Sequence, residues 1–140
     1  SKLCLESVDI GSALECYLKR TNYADQVLIS DDMPVIEVNE SLFCTAIDNL
    51  IRNGLKYNDS DTRWVKIDMF DNKMTITDNG RGMSSKDFEK LRLPYTRRKN
   101  QKEIGSGLGL NICVAILNEH GFKVSAEKLE QGTMITVEFK

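Results

Sequence analysis

The segment from Glu40 to Tyr57 constrains this chain more than any other. Its apolar residues recur at helical spacing, so it reads as one long helix. Phe43, Ile47, Leu50 and Gly54 cluster on one side and should face a sheet. Asn49, Asn53, Lys56 and Tyr57 lie three and four residues apart beside that stripe, over an arc of about 100°. A core helix normally keeps amides away from its buried margin, because an unpaired buried amide costs ~1–3 kcal/mol. Amide oxygens can hold a hard cation such as Mg2+. A lysine can neutralise phosphate, and an aromatic face can stack on a base. The same four residues also suit a solvated helix face with an ordinary tyrosine at the core edge.

Around this helix the pattern alternates between strands and helices. Ser7 to Ile10 reads as a short strand and Ser12 to Lys19 as a helix. Gln26 to Ser30 and Val35 to Val38 read as strands around a turn at Asp31-Asp32-Met33-Pro34. Arg63 to Phe70 and Lys73 to Thr77 form a hairpin signal across Asp71-Asn72. Ser84 to Leu91 fits a short helix. Leu108 to His120 is an apolar-periodic helix with Gly121 as a left-handed stop. Phe122 to Leu129 and Thr133 to Lys140 close the chain as strands around Gln131-Gly132. The fold class is therefore α/β: a two-layer sandwich, with a mixed, mostly antiparallel sheet covered on one face by about three helices.

With 140 residues, 41% hydrophobic and 29% charged, the chain fits a single domain over 1–140 with a substantial core. A formal net charge of −2 gives no electrostatic case for nucleic-acid binding. No apolar run approaches the ~20 residues that span a bilayer, so no membrane contact is expected. Cys4, Cys16, Cys44 and Cys113 are scattered without metal-site spacing and read as reduced packing residues of a cytoplasmic domain. A start that reads directly as strand suggests a piece of a longer chain.

Two further segments carry chemistry. Asp78-Asn79-Gly80-Arg81-Gly82 follows a strand, where a carboxylate can accept from an exocyclic amine and glycines let backbone approach a flat ring. It is also good turn chemistry. Gly105-Ser106-Gly107-Leu108-Gly109-Leu110 runs into a helix, where backbone amides can bind phosphate. It is neither a Rossmann fingerprint nor a Walker loop. Between the two lies a polar, basic stretch containing Arg97, Arg98, Lys99 and Lys102. His120 sits at a helix end, where a cation suits the dipole.

Taken together, these segments resemble a known family. Asn49-Leu50-Ile51-Arg52-Asn53-Gly54-Leu55-Lys56-Tyr57 resembles the N box of histidine-kinase ATP-binding domains, where Asn-x-x-x-Asn-Ala-x-Lys-Tyr is typical. Asp78 to Gly82 resembles the G1 box, and Gly105 to Leu110 the G2 box. Val8-Asp9-Ile10 is similar to the family's first strand and His120-Gly121 to the end of its last helix. The resemblance spans nearly the whole chain and points to the gyrase, Hsp90, histidine-kinase and MutL superfamily, with its Bergerat-type fold.

The resemblance implies roles for these residues. Asn53 would chelate Mg2+ with Asn49 assisting, Lys56 would contact phosphate, and Tyr57 would pack on adenine. Asp78 would accept from the adenine amine, with Gly80 and Gly82 lining the base pocket. Gly105, Ser106, Gly107, Leu108 and Gly109 would bring backbone to the phosphates. Residues 83–104 would form an ATP lid, with Arg97, Arg98, Lys99 and Lys102 clamping phosphate. Two positions depart from the family. Leu91-Arg92-Leu93-Pro94-Tyr95 keeps Pro94 and Tyr95 of a Phe-x-Pro-Phe box but has Arg92 for its first Phe. Gly54 replaces the usual Ala, although glycine inside a helix costs roughly 0.5–1 kcal/mol.

Related ATPases carry a water-activating glutamate where this chain has Asn49, and commonly Asp-Ala where it has Lys56-Tyr57. Both differences favour a histidine kinase. The implied reaction moves the γ-phosphoryl of ATP, leaving ADP, to a histidine on a separate helical-hairpin dimerisation domain, with later transfer to a response regulator. The isolated domain is expected to be a monomer and inactive in autophosphorylation. The competing expectation is a regulatory module or ATPase of the same superfamily that binds ATP without phosphorylating histidine.

Overall fold

The computed structural model describes residues 3–93 and 104–140, with backbone alone over 104–108. Four α-helices and seven strands follow one another as β1 (Glu6–Asp9), α1 (Ile10–Leu18), a 3-10 turn (Ala24–Gln26), β2 (Val27–Ile29), β3 (Val35–Val38) and α2 (Glu40–Lys56). The chain continues through β4 (Val65–Phe70), β5 (Lys73–Asp78), α3 (Ser85–Leu91), α4 (Ile104–Glu119), β6 (Lys123–Lys128) and β7 (Thr133–Glu138). Five strands form one sheet in the order β2-β4-β5-β7-β6, antiparallel except for the edge pair β2–β4. The sheet class agrees with expectation; the described helices number four.

β2 and β3 flank their intervening turn, as expected, but do not pair with each other. β3 pairs antiparallel with β1, with Val8 opposite Ile36, while β2 runs parallel to β4, with Leu28 opposite Lys66. Period-two alternation specifies which residues form a strand but not which neighbour completes its ladder. The Asp31–Pro34 turn is instead tied to α1, since Ile10 N–H donates to the Pro34 carbonyl at 3.0 Å. The two hairpins are as expected. Asp71 turns β4 into β5 with φ 57°, a left-handed geometry that short polar side chains tolerate.

α2 is amphipathic and packs on β4, β5 and α4. Phe43, Ile47, Leu50 and Gly54 are all buried, which is the stripe expected from spacing. Asn39 caps the helix, its side-chain oxygen accepting from Leu42 N–H at 3.0 Å, a contribution of about 1 kcal/mol. His120 completes that end. Asn39 N–H donates to His120 Nε2 at 3.1 Å, and His120 Nδ1 lies 2.9 Å from the Ile116 carbonyl. A backbone N–H can only donate, so Nε2 holds a bare lone pair and Nδ1 carries the proton. The ring is buried and stacked on Phe122, 5.4 Å between centroids. His120 is therefore a strut between the end of α4 and the start of α2. Gly121 follows it with φ +87°, the left-handed stop.

Cys44 and Cys113 are packing residues, and burial pushes their thiols up to about 11 and about 12 respectively. Cys4 and Cys16 are exposed, so the reading of all four as packing residues holds for two. Among the described residues, no helix is long and apolar enough to cross a membrane.

Candidate nucleotide site

A cavity of about 680 Å3 opens between α2, the end of β5, α3, α4 and β7. Its size and mixed lining suit a small-molecule ligand. α2 contributes Leu50, Asn53, Gly54 and Tyr57, which repeat three and four residues apart and so share one flank of the helix. Asp78 enters from the end of β5, Gly82 and Met83 from the following loop, Phe88 and Leu91 from α3, and Thr133 and Ile135 from β7.

Asp78 is buried here, and burial pushes its carboxyl above the usual carboxylate range. Hydrogen bonds from the Gly80 and Thr133 backbones pull the other way, the Gly80 N–H donating to Oδ1 at 2.8 Å. Glycines make this seat possible. A Cβ on Gly54 would stand 2.8 Å from Asp78 Oδ2, and one on Gly80 would stand 2.7 Å from the Tyr57 carbonyl. At Gly132, where φ is +89°, a Cβ would come within 1.8 Å of the Asp78 carbonyl oxygen. Gly54 thus has a structural reason that spacing did not supply: it lets the carboxylate lie against the helix backbone.

The turn holding Asp78 is locked by amides that sequence reasoning missed. Buried Asn58 donates to the Gly54 carbonyl at 3.1 Å and to Asn79 Oδ1 at 2.8 Å. Asn79 Oδ1 also accepts from Trp64 N–H at 3.0 Å, and its own amide donates to the Thr62 carbonyl at 2.8 Å. Ser60 Oγ and Gln131 Nε2 both donate to the Asn79 carbonyl, at 2.7 and 3.1 Å. The available signal was Asn58 directly after the Lys56-Tyr57 pair, an amide where the chain leaves the helix.

The remaining sequence candidates divide. Asn53, Tyr57, Asp78 and Gly82 line the cavity; Gly80 serves Asp78 from beside it. Asn49 is not among the lining residues, and its amide oxygen accepts from the Arg52 guanidinium at 2.6 Å. Lys56 lies on the other flank, its Nζ 5.3 Å from the Tyr57 ring centroid. α4 begins at Ile104, so Gly105, Ser106, Gly107, Leu108 and Gly109 lie in its first turns rather than before it. Pro94, Tyr95, Arg97, Arg98, Lys99 and Lys102 fall outside the described residues.

The start of the expected lid, residues 83–93, is anchored at a few points while most of its side chains are exposed or half-buried. Phe88 is fully buried, and Met83 N–H donates to Thr133 Oγ1 at 2.8 Å. Arg92, which departs from the family box, ties α3 to β6: it donates to the Val124 carbonyl at 3.1 Å and lies 5.7 Å from the Phe88 ring centroid.

A second feature missed in the sequence is Asp48. It is 4% exposed, yet accepts from Arg52 Nε at 3.0 Å, Tyr23 Oη at 2.5 Å and Tyr17 Oη at 3.4 Å. Desolvation and the Asp48 charge hold both phenols above their ordinary value. A carboxylate at the buried phase of α2, four residues after Cys44 and three before Ile51, was the signal.

Comparison with known proteins places this arrangement. The chain is 29% identical over 109 residues to cyanobacterial phytochrome B of Nostoc sp., covering 73% of this chain and 14% of that protein. It is 31% identical over 98 residues to the sensor histidine kinase ArsS of Helicobacter pylori, covering 69% and 22%. These shares make the chain a small part of the length of such relatives. Its backbone superposes on the catalytic domain of histidine kinase ThkA with a TM-score of 0.71 at 21% identity, covering 98% of this chain and 95% of that one. The model for the histidine kinase-, DNA gyrase B- and HSP90-like ATPases matches residues 38–140, from the last residue of β3 through both glycine-bearing segments to the C-terminus, and the chain belongs to that family.

Proposed function

We propose that this chain binds Mg-ATP in the 680 Å3 cavity and presents the γ-phosphoryl group to a histidine carried by another domain, as in two-component signalling. The observation that carries the reading is Asp78: a buried carboxylate at the cavity wall, seated by Gly54, Gly80 and Gly132. A carboxylate at that wall can accept from an exocyclic amine, which adenine has and guanine lacks at that position. Tyr57 and Met83 supply apolar faces for the base. Asn53 is the asparagine that lines the cavity and would hold Mg2+, which neutralises phosphate charge. Asn49, bound to Arg52, is a weaker candidate for that task.

Phosphoryl transfer asks a protein mainly to position groups and neutralise charge. Neither Asn49 nor Asn53 can take a proton from water, so the chain's own residues suit delivery to an external nucleophile. That partner would be a histidine-bearing dimerisation domain, with a response regulator downstream and residues 83–104 covering the nucleotide. ATP supply places the reaction in the cytoplasm. Calorimetry with Mg-ATP, Mg-ADP and Mg-GTP tests the reading. Adenine nucleotides should bind at least about tenfold more tightly than GTP, a difference of ~1.4 kcal/mol; equal affinities would defeat it.

A further inference from the structure

The turn of α2 that aims Asn53 and Tyr57 at the large cavity aims Arg52 and Lys56 elsewhere, about 100° around the helix. They enter a second cleft of about 370 Å3, closed by Asn22, Tyr23, Gln26 and Arg63. Three of these side chains are cations and two are amides. Among the described residues no carboxylate lines the cleft, in a chain whose formal net charge is −2.

The cations are rooted rather than loose. Arg52 Nε is held by buried Asp48 at 3.0 Å. Arg63 donates to the Leu55 carbonyl at 3.1 Å. Lys56 rests against the Tyr57 ring. Side chains ordered beforehand lose less entropy when a partner arrives. Asp48 balances one of the three charges from beneath and leaves the open side positive. The positive groups come from two sides: Arg52 and Lys56 stand one helical turn apart, and Arg63 faces them from the loop before β4. Charges so spread suit several carboxylates better than one compact phosphate, which favours converging backbone amides at a helix N-terminus. This is the C-terminal half of α2.

We propose that this cleft docks an acidic segment of the protein that carries the phosphate-accepting histidine, and so holds the acceptor beside the neighbouring nucleotide cavity. The inference rests on the phosphotransfer reading above. The shared turn of α2 makes the two cavities adjacent, so a partner seated on Arg52, Lys56 and Arg63 is already next to Asn53.

An oligoglutamate peptide is the probe, titrated at low salt with NMR detection of the backbone amides of residues 22, 23 and 26, which persist in the variant below. Inorganic phosphate and Mg-ADP are titrated in parallel. The peptide should move the cleft signals, with binding that weakens as salt rises. The double variant Asn22→Asp, Gln26→Glu should weaken peptide binding by about tenfold or more, while Mg-ADP affinity changes less than about twofold. Unchanged peptide binding by that variant would overturn the proposal. So would inorganic phosphate occupying the cleft and resisting displacement by peptide, or Mg-ADP moving the same signals and excluding it. Failure of Mg-ADP to bind, with peptide binding intact, would strike down the nucleotide reading instead.

Discussion

Asp78 is the buried carboxylate of the cavity wall, and the nucleotide reading proposed above rests on it. Its folded carboxyl is raised above 3.8 by burial. The stability linked to its proton is therefore full below 3.8 and lost as pH rises through the raised folded value. At neutral pH the ligand-free chain carries that cost. Asp78→Asn should raise the neutral-pH melting temperature of the free chain and flatten its acid dependence. The same change should weaken ADP by about tenfold or more, because a charge-assisted hydrogen bond is worth ~1.5–3 kcal/mol. Calorimetry and melting over a pH series check both halves; tighter ADP binding would refute the assignment. Gly54→Ala makes a complementary prediction. Alanine gains roughly 0.5–1 kcal/mol of helix preference, but its Cβ would stand 2.7 Å from Asp78 Cβ. Overpacking costs about 1–3 kcal/mol, so the expected result is a modest net loss of stability with weaker ADP binding, read by chemical denaturation and calorimetry. Asp78 was legible in the sequence because a carboxylate before two glycines ends a strand. The seat around it was not, since Gly54 and Gly132 are far away in the chain and meet only in the fold.

Helix α2 was the most legible element, its buried stripe readable from spacing alone. Its partners were less so. The pairing of β1 with β3, and of β2 with β4, depends on contacts between segments that alternation cannot assign. Nor did spacing expose two anchors of the helix, one at its midpoint and one at its N-terminus. At the midpoint, Tyr23 donates to Asp48. Its phenol is raised above 10.0, so the linked stability is full below pH 10.0 and lost as pH climbs through the higher folded value. Tyr23→Phe should destabilise the chain by about 1–3 kcal/mol at neutral pH and blunt its alkaline unfolding, as followed by circular dichroism. An unchanged alkaline profile would show that Tyr17 alone carries the effect. At the N-terminus, His120→Ala leaves the Asn39 N–H without its acceptor. A half-buried donor left unpaired sits at the low end of the ~1–3 kcal/mol range for buried ones, which for a chain of this size lowers the melting temperature by roughly 3–5 °C.

For the whole molecule, site and fold stability are linked through ligand. Mg-ADP at about 100 times its dissociation constant should add about 2.7 kcal/mol, a melting shift of several degrees. The same preparation, incubated with labelled ATP, should form no phosphohistidine. The sequence holds one histidine, and that residue is buried and engaged through both ring nitrogens. Label retained as acid-labile phosphate on the isolated chain would contradict this.

That solitary imidazole has a practical consequence. Its nitrogen resonances need no site-specific label to be assigned, because no other ring in the chain can produce them. A protonated Nδ1 beside a bare Nε2 gives two well-separated 15N shifts, and opening of the joint with Asn39 would let the tautomers interchange and draw the shifts together. The protein thus carries its own spectroscopic gauge of whether the first turn of α2 is seated against the last turn of α4.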